Sequence, residues 1–409
     1  MRHITRPIPR GMYLWILVCA GSACDPAHWR YLTTLTPVAV PTNLPDGNAI
    51  ALGDTTQDSP PPAAAVGKFG SQPAVDLFQF NGGTWSFDRR LGPRPGAKGN
   101  FGEAVALSAD TLAIGAHHDD PQKVENGYVD LYVRQGQAWQ FQQAVTVTSF
   151  TPPPLTSGSA EFGFGRALDL AGEDLVVGAG RFAGGYGRVF VFHREAGKYT
   201  QVAELKEADP DQRFDANFGD TVKIYGDTII ATRPDTPAST PPPKAGKVYI
   251  YARAGGTWAL QQVLQSPTAT GAYDGFGNAA ALWGDQLAIR KTGMVYVYTR
   301  SAGVWSQAWS VAVGSGEVNS VDINDDHLAI GEPAEAANGY QHAGQIRIFL
   351  GLGNTYNLQA LRNEPAPGKD HFFGARVALR GNQVLVGAPG SAGGSGAYSA
   401  TLSYLDGPY

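Results

Sequence analysis

The sequence predicts an all-β fold in which one four-stranded unit is written seven times around a ring. Three observations carry this. Among 409 residues there are 52 Gly and 28 Pro while only 16% are charged, a balance that favours many tight turns over long helical surfaces. Short segments alternate apolar and other residues at period two between Asp, Gly and Asn turns, the signature of strands in hairpins. These segments recur in a fixed order, so separate markers can be counted against one another.

The unit that contains "FGEAVALSADTLAIGA" shows the order. Its first strand is "AVALS" (104–108), its second "TLAIGA" (111–116), its third "YVDLYV" (128–133) and its fourth "WQFQQAV" (139–145). The first two are joined by two or three residues, as at Gly226-Asp227, Gly284-Asp285 and Gly381-Asn382, which suits a hairpin turn at positive φ. The second strand is expected to end at Gly53, Gly115, Gly178, Ala231, Ile289, Gly331 and Gly387. Third strands begin at Val75, Val129, Val189, Val248, Val295, Ile346 and Tyr398, and fourth strands open on Trp29, Trp85, Trp139, Tyr199, Trp258, Trp305 and Tyr356. A Phe-Gly pair opens five units, at Phe101-Gly102, Phe162-Gly163, Phe218-Gly219, Phe276-Gly277 and Phe373-Gly374. Each Phe is expected to wedge between units, with the Gly allowing close backbone approach.

Trp29 sets the closure. "HWRYLTTLTP" matches the fourth-strand segment "TWALQQVLQSP" from Thr257 yet precedes every other strand, while the last unit stops after its third. An N-terminal strand that completes the C-terminal unit makes a ring, for which an open solenoid has no use. Four-stranded units of roughly 40 to 60 residues are β-propeller blades. The expectation is a seven-bladed β-propeller over 28–409, with blades 39–100, 101–161, 162–217, 218–275, 276–315, 316–372, and 373–409 completed by 28–37.

Phe-Gly at the start of a unit and Gly387-Ala388-Pro389 at the end of a second strand resemble the FG-GAP repeat of integrin-α-like propellers, and most closely its bacterial version. The resemblance covers essentially all of 28–409 and implies adhesion or recognition. Relatives often hold calcium in an Asp-rich loop between the first two strands. Here that link is too short, and "DINDD" (Asp322–Asp326) has too few carboxylates at suitable offsets for six to eight oxygen ligands, so no metal or other cofactor is expected.

Arg2, Arg6 and Arg10, the apolar run Met12–Ala20 and the small residues before Cys24 read as a secretory signal over 1–23. Its end resembles a lipobox, which implies that Cys24 is acylated and becomes the first mature residue. Cys19 leaves with the signal, so Cys24 has no disulfide partner in the mature chain. The expected setting is the cell envelope, with membrane attachment only through the lipid; an ordinary signal-peptidase cut after Ala23 satisfies the same small-residue rule and would give a secreted protein. Lys+Arg 31 against Asp+Glu 36 removes the basic surplus that a nucleic-acid partner requires.

Loop lengths are uneven. Links between first and second and between third and fourth strands are short, whereas the other two kinds are long, Pro-rich and varied. In an up-and-down blade the long links share one face, which is how a scaffold presents a binding surface. Candidate binding residues there are His117, His118, Asp119 and Asp120 in "HHDD", Arg181 and Tyr186 in "GRFAGGYG", and Tyr340 and His342 in "EPAEAANGYQHAG". "HHDD" reads first as a solvated loop, since adjacent residues cannot all converge on one metal ion. Asp215, Asp274 and Asp370, just before Phe-Gly positions, read as Asx turns. Nucleophile elbows and phosphate loops are missing. The expectation is a non-catalytic module that binds a protein or glycan, with a structural envelope component as the alternative. An enzyme would require Asp169, Lys223 and Asp322 on first strands to converge at the channel.

Overall fold

The fold was derived from a computed structural model. It describes residues 30–35, 46–53, 63–68, 73–81, 84–108, 110–117, 127–136, 138–147, 163–180, 187–207, 217–234, 246–267, 274–314, 320–364, 367–381, 383–389 and 401–406. Every regular element among them is a β-strand. The first is β1 (Arg30–Leu35). Blade one then follows as β2 (Asp46–Leu52), β3 (Ala63–Lys68), β4 (Ala74–Asn81) and β5 (Thr84–Leu91). Blade two is β6 (Asn100–Leu107), β7 (Thr111–His117), β8 (Tyr128–Gln135) and β9 (Ala138–Val145), and blade three is β10 (Ala167–Ala171), β11 (Asp174–Ala179), β12 (Arg188–Glu195) and β13 (Lys198–Leu205). Blade four comprises β14 (Val222–Tyr225), β15 (Thr228–Arg233), β16 (Lys247–Ala254) and β17 (Thr257–Gln265). Blade five comprises β18 (Ala280–Trp283), β19 (Gln286–Lys291), β20 (Met294–Ser301) and β21 (Val304–Ala312). Blade six is β22 (Ser320–Ile323), β23 (His327–Glu332), β24 (Gln345–Leu352) and β25 (Thr355–Asn363), after which come β26 (Arg376–Arg380), β27 (Gln383–Ala388) and β28 (Thr401–Asp406).

Each blade is an antiparallel meander in chain order. The expectation of seven like blades is corrected to six complete blades, each of four consecutive strands, and one composite sheet ordered β1-β28-β27-β26. In that sheet Arg30 pairs with Asp406 and Gly387 with Leu402, but only β26 and β27 contribute described side chains. Its third strand is described over Thr401–Asp406, and Tyr398, where that strand was expected to begin, lies outside the described residues. First strands touch in a cycle, β2 to β6, β10, β14, β18, β22, β26 and back to β2, so they line a central channel.

The core lies between blades. Phe101 packs with Val75 and Leu77 of blade one as well as Ile114 of its own blade. Phe218 joins Val189 and Val191 to Ile229, and Phe276 joins Val248 to Leu287. All five wedge phenylalanines are at most 1% exposed, but the second, in blade three, is Phe164, where Phe162 was expected. Phe164 sits edge-on to Phe190 and Phe192 at 5.7 and 6.1 Å. Its partner Gly165 has φ 90°, in line with 88° at Gly102, 92° at Gly219, 90° at Gly277 and 95° at Gly374, whereas Gly163 has 57°. Phe162 falls outside the described residues. The wedge pair is therefore Phe164-Gly165, two residues on.

Register corrects three further markers. Second-strand residues paired with Val75, Val129, Val189, Val248, Val295 and Ile346 of the third strands, and with Leu402 of the last, are Gly67, Gly115, Gly178, Thr232, Arg290, Gly331 and Gly387. Gly53 ends a first strand, and Ala231 and Ile289 stand one residue early. A Cβ on Gly67, Gly115, Gly178 or Gly331 would overlap the carbonyl oxygen of Gly102, Gly165, Gly219 or Gly374 in the next blade. Arg290 is tolerated where blade six, which follows it, has no Phe-Gly pair.

Phe164→Ala is expected to cost about 3–5 kcal/mol by opening a buried cavity, and Gly115→Ala to destabilise by forcing two blades apart. Denaturant midpoints check both; a midpoint unchanged in Phe164→Ala would refute the revised register.

Candidate binding face

The two ends of the blades are built differently. On the short-turn end, an Arg at the end of the third strand lies across from the fourth-strand aromatic. Arg134, Arg194, Arg253 and Arg300 pair in register with Trp139, Tyr199, Trp258 and Trp305 and stack over their rings at 5.7, 5.9, 5.0 and 5.3 Å. Three of them also fasten adjacent blades. Arg253 donates from Nε to Asp227 of its own turn and from Nη1 to Asp174 of the blade before, both at 2.7 Å. Arg300 does the same to Asp285 at 2.6 Å and Thr228 at 2.7 Å. Arg194 binds Glu173 and reaches Thr111 and Asp110 at 3.0 and 3.1 Å, and its hydrogen bond holds the Glu173 carboxyl below its usual range. The signal was in the sequence, as Arg five residues before the aromatic in four units. These turns are occupied by assembly.

The same end uses "DINDD". Asn324 Oδ1 caps the amides of Asp326 and His327, its amide donates to Gly381, and Asp325 accepts from the Trp283 indole at 2.8 Å. The segment is an inter-blade turn, and no group of three or more His, Cys, Asp or Glu suited to a metal ion occurs among the described residues.

Asp169 and Asp322, named for convergence at the channel, each bond the next first strand instead. Asp169 accepts the Ile224 amide at 3.0 Å and Asp322 accepts the Leu379 amide at 2.7 Å. Lys223 lies on β14 between them in chain order. The two carboxylates are thus structural bridges across blade joints.

At the long-loop end, loops are rooted on ion pairs. Asp76, fully buried, takes Arg90 at 2.6 and 2.8 Å and Lys68 at 3.5 Å. Asp130, equally buried, takes Arg94 at 2.9 Å; desolvation nevertheless raises its pKa against the pull of the guanidinium. Glu207 holds Arg233 and accepts from Tyr249 at 2.8 Å. Glu332 accepts from Arg347 at 2.8 and 2.9 Å and from Gln345 at 3.0 Å. Buried charges survive only when paired in this way.

Of the candidate residues, His118, Asp119, Asp120, Arg181 and Tyr186 lie outside the described residues, as does Cys24. His117 is 3% exposed, a core residue that contacts Glu103 through Nδ1 and lies 3.4 Å from the Asn100 amide. Glu103 is also 3.9 Å from Arg166 of the next blade. Desolvation pulls the guanidinium of Arg376, on the composite sheet, below its ordinary value, against the opposing charges of Asp220 and Glu103. Asp274 forms the expected Asx turn, accepting the Phe276 amide at 3.1 Å. Asp370 instead accepts from His342 at 2.9 Å. Tyr340 and His342 are exposed on a loop that is described throughout.

Residues 85–132 match the FG-GAP repeat family, a span from β5 of blade one to β8 of blade two. This chain is a β-propeller that carries the FG-GAP repeat. Its fold is similar to a chain in the "Crystal Structure of Mitotic Checkpoint Complex", with a TM-score of 0.53 and 14% identity over 97% of this chain and 99% of that one. At that identity the likeness speaks for the propeller fold alone. Comparison with curated proteins gave no match.

Two outcomes follow for the FG-GAP propeller's short-turn end. Arg253→Ala removes two charge-assisted hydrogen bonds and a ring contact and is expected to cost about 2 kcal/mol, measured by denaturant titration. Burial also pushes the His327 imidazole below its ordinary value, against the opposing charge of Asp326. The folded state thus disfavours the protonated ring, and its stability contribution is full above the unfolded value of about 6.5 and lost as pH falls through the lower folded value. Melting temperature should decline on acidification through that window, and less steeply in His327→Gln.

Proposed function

We propose that the protein is an exported recognition module that binds a protein or glycan partner through its long-loop face and performs no catalysis. One observation carries the reading: the two faces are divided between assembly and variation. On the short-turn face the charged side chains Arg194, Arg253 and Arg300 are occupied in fastening blades. On the other, buried pairs such as Asp76–Arg90 and Glu332–Arg347 fix the loop roots and leave the loop sequences free to vary, as a binding scaffold requires. The engagement of Asp169 and Asp322 by backbone amides, with Arg380 3.6 Å from Asp322, supports a structural role for both carboxylates in place of acid–base chemistry.

The apolar run Met12–Ala20 behind Arg2, Arg6 and Arg10 and the small residues before Cys24 support export and acylation at that cysteine, a reading in which the propeller sits in the cell envelope on a lipid tether. No helix among the described residues is long and apolar enough to cross a membrane. No metal, cofactor or nucleic acid enters this reading.

Replacing residues 181–186 and 235–245 by Gly-Ser linkers together with Tyr340→Ala and His342→Ala is expected to abolish capture of the partner from envelope extracts or a glycan array while shifting the melting temperature by only a few degrees. Retained capture would refute the assignment of the face. Cys24→Ser should eliminate incorporation of labelled fatty acid and release the protein from membranes; labelling that persists would refute the anchor.

A further inference from the structure

Two loops at the long-loop end, 333–344 between β23 and β24 and 367–375 before β26, are built as one unit. The amides of Asp370, Phe372 and Phe373 donate to the carbonyls of Gln341, His342 and Ala343 at 3.0, 2.9 and 3.0 Å, and Gly344 and Phe373 form a parallel bridge. Ala337 and Tyr340 close a tight turn by exchanging both backbone hydrogen bonds. From below, Phe373 is locked in the core at 1% exposure and His371 is held by the buried Glu364 at 2.6 Å.

On this rigid base the backbone is strained where side chains point outward. Asn338, His342, Asp370 and Phe372 have φ of 51°, 51°, 61° and 56°, four of the seven non-glycine residues with positive φ among those described. Each such residue costs on the order of 1–3 kcal/mol and persists where surrounding structure enforces it, commonly at ligand sites. For a bulky Phe the conformation is a genuine outlier. Phe372 is nevertheless 37% exposed, with its ring parallel to that of His342 at 5.8 Å and 12°. His342 Nδ1 donates to Asp370 Oδ1 at 2.9 Å, and Lys369 Nζ lies 3.9 Å from Asp370 Oδ2. Tyr340, on the same loop, is 47% exposed.

We propose that these loops form a sugar-binding site that takes a hexopyranose ring of a glycan, with its apolar face stacked on Phe372 and its hydroxyls bonded around Asp370. The inference rests on the recognition reading above and names its ligand class and site. The polar groups mix an acceptor carboxylate, a donor ammonium and an imidazole whose Nε2 accepts when Nδ1 donates to Asp370. Their charges of opposite sign offset one another. Hydroxyls, which donate and accept alike, match that set better than a charged ligand does. The exposed aromatic surface amounts to a few rings, whereas a stable protein interface buries about 800 Å² per partner. A preorganised site of this size suits one sugar ring.

Full-length protein, wild type, Phe372→Ala, Asp370→Asn and the 235–245 replacement, is applied to an array of immobilised hexopyranoside-terminated glycans, and each is melted in parallel. Wild type is expected to bind, Phe372→Ala and the nearly isosteric Asp370→Asn to weaken binding by about tenfold or more, and both to melt as wild type does. Phe372→Gly should raise the melting temperature by relieving strain while losing the sugar. No binding by wild type, or capture only of protein ligands, overturns the proposal. Binding lost in the 235–245 replacement but kept by both point variants also overturns it and leaves the recognition reading standing. Binding kept by every variant overturns both.

Discussion

The fold depends on how closely two backbones can approach at a blade joint. The carbonyl of the wedge glycine in one blade lies where a Cβ would stand on the second-strand glycine of the blade before, at Gly67 against Gly102, Gly115 against Gly165, Gly178 against Gly219 and Gly331 against Gly374. Glycine at both places lets neighbouring sheets come near enough for a Phe wedge to be sealed. At the joint of blades four and five Thr232 faces Gly277 and Phe276 is still fully buried, so there the wedge glycine alone suffices. Arg290 can occupy the position in blade five because the following blade presents no Phe-Gly pair. A third glycine belongs to the same joint: Gly127, Gly187, Gly246 and Gly344, just before third strands, lie against the carbonyls of Phe164, Phe218, Phe276 and Phe373.

Sheets held at that distance have different polar needs at their two ends. Near the short turns, adjacent blades come within reach of an Arg side chain, and one guanidinium can satisfy its own turn and the neighbour's second strand while covering an aromatic. Near the long loops, charges are buried at the roots and find partners within or beside a blade, as Asp76 finds Arg90 and Asp130 finds Arg94, or in the next blade, as Glu207 finds Arg233 and Tyr249. The short turns are thus given over to joining blades, while the long loops stand on paired charges at their roots.

Much of this was legible because strands alternate and turns repeat. Period-two patterning and fourth-strand aromatics located the blades, since each depends on residues a few positions apart. What failed depended on register across strands. "EFGFG" offers two Phe-Gly pairs, and only packing against Phe190 and Phe192 selects Phe164. Gly53 and Gly67 both follow apolar runs, and only the pairing of Gly67 with Val75 identifies the joint residue. Six blades are continuous in sequence, but the composite sheet joins the two ends of the chain, where the markers are sparse. The candidate site was less legible still. "HHDD" drew attention to His117, which is buried against Glu103, while Asp370 read as an Asx turn and nothing in the sequence singled out Phe372.

The exposed Phe372 follows from the same geometry that buries Phe373. The wedge position and its preceding residue are fixed by the joint, because Phe373 accepts its place in the core and its amide is tied to Ala343. Phe372 then has no freedom to turn inward, and its left-handed backbone directs a large apolar ring to water beside His342. A folding requirement alone would be met by Gly or Asn, which adopt that conformation at lower cost. Keeping an aromatic there adds strain and exposed apolar surface without improving the joint, and that combination is what a binding site, and no packing need, accounts for.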